Sequence, residues 1–213
     1  MSTIYLSETA HPALREYLIG EGHSLKIIED TELTYYPVST HPDIYMCSMG
    51  TGRPVFFGCP EKIGSKYPEN IRYNAACTGK FFIHNLRHTD PGLMKAAENT
   101  VKINVSQGYT KCSVLIVDED SIITSDEGIY KSCYGKLNVL LINPGHIRLR
   151  GFPYGFIGGT SGRIGDTVIF NGDITKHPDY EKIAAFIESR DLKIKYFTSY
   201  ELEDIGSIIV SSR

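Results

Sequence analysis

The sequence predicts an α/β protein, a ring of five β-β-α-β units of which one is degenerate. Three observations predict it. A strand–turn–helix passage recurs: Thr9-Ala10-His11-Pro12 follows apolar residues 4–6, and Thr89-Asp90-Pro91 follows residues 81–83. Thr124-Ser125-Asp126-Glu127 follows a strand pair in 114–123, and Thr175-Lys176-His177-Pro178 follows residues 168–170. The spacing is the second observation: the span between Pro12 and Pro91 has room for two units, giving five units of roughly 40 residues. The third is the pair of chain ends, where residues 205–210 can pair with residues 3–6 and leave no open end of the repeat.

Each element has a local reason. Residues 3–6 read as a strand. Pro12 suits the first turn of a helix, where its missing N–H costs nothing, with Thr9 as an upstream cap. Leu14, Tyr17 and Leu18 give the apolar stripe, Gly20 and Gly22 stop it, and residues 25–28 return as a strand. Residues 44–49 and 54–58 read as a strand pair about the turn at 49–52. The breakers Pro60, Gly64 and Pro68 then deny this unit a long helix. Residues 80–84 begin the next unit, with a helix through Leu93, Met94 and Ala97 and a strand at 101–105. Residues 112–117 and 121–123 form a hairpin across Asp118-Glu119-Asp120. A short helix through Ile129 and Cys133 follows, then an apolar strand at 137–142. After a glycine-rich, aromatic segment at 151–165 come a strand at 166–170, a helix opened by Pro178 with Ile183, Ala184 and Ile187 inward, and a strand at 192–197. The expected organisation is a single domain over residues 1–213. The alternative is a mixed α/β sandwich in which the recurring passage is a common strand-to-helix turn.

The composition narrows the function. Hydrophobic residues make up 41%, and the formal charge of −3 with dispersed lysines and arginines does not favour nucleic acid as a partner. No apolar run is long enough for a membrane span, and the start, Met1-Ser2-Thr3-Ile4, lacks the layout of a secretion signal. Five widely spaced cysteines without a Cys-x-x-Cys pair read as reduced thiols, so a cytoplasmic setting is expected. Neither a dinucleotide fingerprint nor a phosphate-loop pattern occurs, and no cofactor is expected. His84 and His88 are four apart, but one ends a strand and the other lies in a turn, so no metal site is expected, there or elsewhere.

Four stretches carry a resemblance. These are residues 123–129, the run Tyr154-Gly155-Phe156-Ile157-Gly158-Gly159-Thr160-Ser161-Gly162, His177-Pro178-Asp179, and Asp204-Ile205-Gly206-Ser207-Ile208. Together they resemble an uncharacterised, mainly clostridial family assigned to the guanidino-group-modifying enzyme fold, the pentein or five-bladed α/β propeller. The resemblance implies that fold. Enzymes of the fold use a cysteine nucleophile near the C-terminus, a histidine acid/base and carboxylates that hold the guanidinium. This chain departs from them: its last cysteine is Cys133, and Ser207 stands near the expected nucleophile position.

The candidate ligand-binding residues are His41, Asp43, Cys112, Gly158, Gly159, Thr160, Asp204 and Ser207. His41 and Asp43 form a His-Pro-Asp motif with no obvious helix behind it, which makes Asp43 the best candidate for holding a cation. Cys112 and Cys77 open or precede central strands and can face a ring axis, although a buried cysteine is usually a small hydrophobe. Gly158 to Gly162 reads as a tight bend or an anion-binding nest. Arg148, Arg150, Tyr154 and Phe156 form a basic-aromatic stretch, read as a surface loop or a site for a carboxylate or phosphate. Three functions fit. The first is a small-molecule binding protein, its pocket lined by Asp43, Cys112, Gly159, Thr160 and Asp204 and its ligand a cationic amine or guanidine. The second is a C–N bond hydrolase or transferase with an unconventional Cys or Ser nucleophile. The third is a structural or interaction protein.

Overall fold

A computed structural model of the chain describes residues 2–211. Strand β1 (Thr3–Ser7) leads through helix α1 (Pro12–Gly20) to the parallel strand β2 (Ser24–Ile28). A one-turn helix α2 (Pro42–Tyr45) precedes the antiparallel pair β3 (Met46–Ser48) and β4 (Val55–Phe57). Strand β5 (Ala76–Cys77) pairs antiparallel with β6 (Phe81–His84), and α3 (Pro91–Ala96) carries the chain to the parallel β7 (Val101–Asn104). The pattern repeats after a one-turn helix α4 (Thr110–Ser113): β8 (Val114–Asp118), β9 (Ser121–Thr124), α5 (Glu127–Cys133) and β10 (Asn138–Leu141). It repeats again with β11 (Ser161–Ile164), β12 (Thr167–Phe170), α6 (Tyr180–Glu188) and β13 (Lys193–Lys195). Finally β14 (Ile209–Ser211) returns to β1, pairing antiparallel with Thr3 opposite Ser211.

The molecule is thus a mixed α/β protein of five small sheets. In four of them a first strand is antiparallel to the second, and a helix crosses back to a parallel third. The second sheet stops at two strands, and a single 3-10 turn (Pro60–Lys62) stands where the others have a helix. Each crossover helix buries its apolar stripe on its own sheet: Leu14 and Leu18 on Ile4 and Leu6, Leu93 on Phe82, Ile129 on Ile122, and Ile183 and Ile187 on Val168. The first strands neighbour one another in the order β14, β3, β5, β8, β11 and back to β14.

The recurring passage is cap chemistry. Asp90 Oδ1 accepts from the N–H groups of Gly92 (2.8 Å) and Leu93 (3.3 Å), Asp126 Oδ1 from Ile129 N (2.8 Å), and His11 Nδ1 from Ala13 N (3.2 Å). Asp90 also receives Lys62 Nζ at 3.2 Å. We expect Asp90→Ala to lower stability by about 1–2 kcal/mol, measured by urea unfolding. A change below a few tenths would mean that water replaces the cap.

Several expectations are corrected: His11 and not Thr9 caps α1, α6 begins at Tyr180 and not at Pro178, and β11 forms within the glycine-rich segment 151–165. Two further differences bear on the site. Residues 44–49 do not form one strand, because Pro42 starts a helical turn that α2 completes before β3 begins at Met46. Cys112 does not open a strand. The Asn74 side-chain carbonyl accepts from Lys111 N (2.8 Å) and Cys112 N (3.3 Å), which holds the chain in α4 until Val114.

Candidate functional site

The turns that lead into the first strands carry the buried polar groups. His41 and Asp43 stand before β3, Asn74 before β5, Lys111 and Cys112 before β8, Gly158 and Gly159 before β11, and Asp204 and Ser207 before β14. His41, Tyr109, Phe156 and Asp204 hold one equivalent place, the fifth residue before Met46, Val114, Ser161 and Ile209. Because the first strands are mutual neighbours, their leading turns converge.

A hydrogen-bonded chain joins the convergent side chains. Lys111 Nζ donates to Ser207 Oγ at 3.0 Å and to Gly158 O at 3.3 Å. The Ser207 hydroxyl lies 2.8 Å from Asp43 Oδ2 and 2.9 Å from Gly158 O, with one proton for the two acceptors. The Cys112 thiol donates to Asp43 Oδ2 at 3.0 Å and is approached by Asn74 Nδ2 at 3.5 Å. Ser207 is held in the left-handed region, φ +75°, at a cost of roughly 1–2 kcal/mol. Asp204 Oδ1 accepts from Gly206 N at 3.0 Å and Oδ2 from Phe156 N at 2.9 Å. His41 Nδ1 is 4.0 Å from Asp204 Oδ1, while His41 Nε2 and Asp43 Oδ1 are buried without a partner.

Burial sets the protonation of this cluster, because a charge out of water is disfavoured. It holds His41 down to about 4 against the opposing pull of Asp43. It pushes the Asp204 carboxyl up to about 6 despite the N–H groups of Gly206 and Phe156. It raises Asp43 against the attraction of His41, the Cys112 hydrogen bond and Lys111. It lowers Lys111, opposed first by Asp43. The Cys112 thiol is well above its ordinary value, through burial first and then the charges of Asp43 and Asp204. At neutral pH the imidazole is uncharged, the sulfur keeps its proton and Asp204 is ionised.

Above the cluster opens a cavity of about 300 Å3. His41, Cys112 and Asp204 contribute its polar lining, and Tyr35, Tyr109, Phe152, Tyr154 and Phe156 are its aromatic walls. The Tyr35 and Phe152 ring centroids are 5.8 Å apart, and the Tyr154 and Phe156 rings meet edge to face at 6.3 Å. The Tyr35 and Tyr109 hydroxyls are 2.5 Å apart, and Asn70 Nδ2 donates to the latter at 2.8 Å. Among the described residues, no lysine or arginine lines the cavity.

The structure therefore separates the sequence-derived candidates. His41, Cys112 and Asp204 face the cavity, whereas Asp43 and Ser207 lie behind them, fully buried. Gly158 and Gly159 do not make room for a ligand: a Cβ on Gly159 would fall 1.9 Å from Asp204 Oδ1, so the space is taken by that carboxylate. The Thr160 and Ser161 hydroxyls are both spent on Ile157 O. The backbone N–H groups of Gly159 and Thr160 bond within the turn, which makes this segment a bend and not an anion nest. Cys77 is part of β5, packs with Phe82 and Leu93, and lines a separate cavity of about 50 Å3 with Ser48, Lys111 and Ser161. His84 and Asp90 are engaged by Thr89 and by helix α3, so they form no metal group with His88. Of the basic-aromatic stretch, Tyr154 and Phe156 line the cavity, while Arg148 pairs with Glu201 at the surface.

The sequence reading missed Tyr35, Asn74, Tyr109, Lys111 and Phe152. For Tyr109 a signal existed, its place five residues before a first strand, shared with His41 and Asp204. The sequence reading also did not assemble the metal-ligating trio His41, Cys112 and Asp204, whose donor atoms lie within 4.8 Å of one another.

Fold and cavity together define an α/β protein of five small sheets with a polar centre under an aromatic pocket. Residues 52–209 match the model of a family of unknown function, DUF6873, and the chain belongs to that family. The matched span contains Lys111, Cys112, Gly158, Asp204 and Ser207, while His41 and Asp43 precede it. No curated protein matches the chain. Among the described residues, no helix is long and apolar enough to cross a membrane.

Proposed function

We propose that this chain is a five-bladed α/β propeller of the pentein kind whose axial cavity binds a small organic cation, an amine or a guanidine. The cyclic order of the first strands and the return of β14 to β1 support the propeller. The ligand reading is carried by one observation: aromatic walls and the Asp204 carboxylate line the same cavity, with no lysine or arginine among the described residues that line it. Aromatic faces attract cations, and the Asp204 carboxylate supplies a charge-assisted acceptor. The Lys111 amine behind the cavity floor is engaged by Gly158 O and Ser207 Oγ.

The chain has 14 tyrosines and no tryptophan, so its emission is tyrosine emission, to which the wall residues Tyr35, Tyr109 and Tyr154 contribute. Titration with agmatine, arginine and simple alkylamines is expected to give saturable quenching by at least one of them. Asp204→Asn is expected to weaken it at least tenfold. Absence of saturation with the wild-type protein, or equal binding by the variant, overturns the reading.

The Cys112 thiol in the cavity, donating to Asp43 beside an uncharged imidazole, favours a second reading as a C–N bond hydrolase or transferase. Asp43 Oδ2 would have to take the thiol proton before attack. Ser207 does not share this role, because its hydroxyl is buried behind Asp43. Fast iodoacetamide labelling of Cys112, blocked by the bound amine, supports the reading; slow labelling unaffected by ligand removes it.

A further inference from the structure

We propose that the cavity floor is a binding site for a soft divalent cation of the zinc type, held by Cys112 Sγ, His41 and Asp204. Each of the three offers one donor atom, and the three lie within 4.8 Å of one another. Thiolate, imidazole and carboxylate are the donor types zinc takes, at about 2.3, 2.0 and 2.0–2.2 Å. A tetrahedral set with those bonds has its donors roughly 3.3–3.8 Å apart, so the trio closes by about an ångström to grip an ion. The three come from three different sheets' leading turns, and Cys112, His41 and Asp204 are 3%, 2% and 2% exposed.

An independent observation points to the same place. His41 Nε2 and Asp43 Oδ1 are buried polar atoms without a partner. A buried polar atom left unpaired is costly, and here two such atoms lie in one cluster. A cation bound at Nε2 removes the first defect, and a cation bound at either imidazole nitrogen brings positive charge toward the second. The three protein ligands leave a fourth position open toward the aromatic cavity, the arrangement that keeps a metal accessible to a small molecule.

The proton balance is simple. The Cys112 S–H bond breaks, a sulfur–metal bond forms, and one proton leaves to solvent for each ion bound. Asp43 loses the thiol as a donor and keeps Ser207, so it acts as a positioning residue behind the sulfur. This inference goes beyond the organic-cation reading and does not rest on it. The two ligands share Asp204 and exclude one another.

The test is a cobalt(II) titration of the full chain after chelator treatment, followed by zinc. Expected are a sulfur-to-cobalt charge-transfer band, visible bands of tetrahedral intensity, one ion per chain, and full displacement by zinc. Cys112→Ser is expected to lose the charge-transfer band and weaken zinc at least a hundredfold. The competing thiol is Cys59, exposed and 2.8 Å from a Glu61 carboxylate oxygen. Cys59→Ser must therefore retain the band. Should Cys112→Ser not fold, zinc protection of Cys112 from iodoacetamide in the wild-type protein, located by mass spectrometry, replaces it. No band, a band that survives Cys112→Ser, or a band lost with Cys59 overturns the proposal. Amine binding without a cobalt band sinks the metal site alone; a cobalt band without amine binding sinks the organic-cation reading alone.

Discussion

Replacing Gly158 by alanine is expected to cost about 3 kcal/mol of folding stability and roughly 6–12 °C in Tm. Gly158 has no positive φ, so the effect is purely steric. Its added Cβ would fall 2.3 Å from both Lys111 O and Val114 O. Neither oxygen is free to retreat: Lys111 O accepts from the Val114 N–H that closes α4, and Val114 opens a central strand. The bend must therefore move away from β8 and take its own carbonyl with it. That carbonyl receives Lys111 Nζ and faces the Ser207 hydroxyl, so the buried chain to Asp43 loosens as well. Two other glycines calibrate the result. Gly135, at φ +75° with nothing within 4 Å of its Cβ position, should cost only about 1–2 kcal/mol as alanine, the backbone penalty alone. Gly20 closes α1 with open space around it, and alanine there should be neutral or gain about 0.5–1 kcal/mol. Urea unfolding of the three variants checks the order. A Gly158→Ala change as mild as that at Gly135 would show that the turn and β8 are not locked together.

The same close approach explains why the place where the leading turns converge can hold so many ionisable groups. Asp43 and Lys111 are not in direct contact; Ser207 stands between them and bonds to both. Each of the two buried groups thereby has a hydrogen-bond partner and a neutral neighbour, which limits the desolvation penalty that a bare pair would carry. Asp204 is satisfied differently, by two backbone N–H groups, and this leaves its charge available to whatever enters the cavity.

The outer half of the architecture was legible in the sequence because it is local chemistry. A cap such as Asp90 or Asp126 and a proline such as Pro12 announce a helix start within four residues, whatever the rest of the chain does. The degenerate second unit was legible for the same reason, through Pro60, Gly64 and Pro68. The centre was legible only in part. Asp43, Cys112, Asp204 and Ser207 stand out as polar or reactive residues beside expected strands, but their partners do not. Lysine ordinarily reads as a surface residue, and only the long-range turn held by Asn74 buries Lys111. His41, Tyr109, Phe156 and Asp204 share a structural place without sharing any chemistry, so no search for a repeated residue type joins them. The walls Tyr35 and Phe152 lie in irregular segments whose path is fixed by tertiary contacts. Gly159 was misread for a physical reason: a missing side chain marks space, and sequence does not say whether a ligand or Asp204 fills it.

Acidification between pH 6.5 and about 4 is expected to withdraw the stability that His84 contributes, while the raised Asp204 carboxyl acts in the opposite sense and is common to wild type and variant. The ring is completely buried in β6. Its Nε2 is 3.2 Å from Gly108 O, an acceptor only, so Nε2 carries the proton and Nδ1 receives the Thr89 hydroxyl at 2.7 Å. The neutral imidazole is thus satisfied at both nitrogens, and burial holds its pKa down to about 4. The unfolded chain binds a proton at about 6.5. Between the two values the unfolded state holds more protons than the folded one, so stability falls as pH falls. Below about 4 both states are protonated and the contribution is fully lost. The difference corresponds to about 3 kcal/mol in all, of which about 2 kcal/mol falls between pH 7 and 4.5. His177 is shifted in the same direction by burial and by His146, and adds to the slope. The discriminating variant is His84→Gln, which offers Gly108 a donor and Thr89 an acceptor but does not titrate. Whatever its stability at pH 7, it should lose about 2 kcal/mol less than the wild type on acidification to pH 4.5. Parallel pH profiles for the two proteins would show that the acid sensitivity arises elsewhere, and that β6 tolerates a charged imidazole against Gly108.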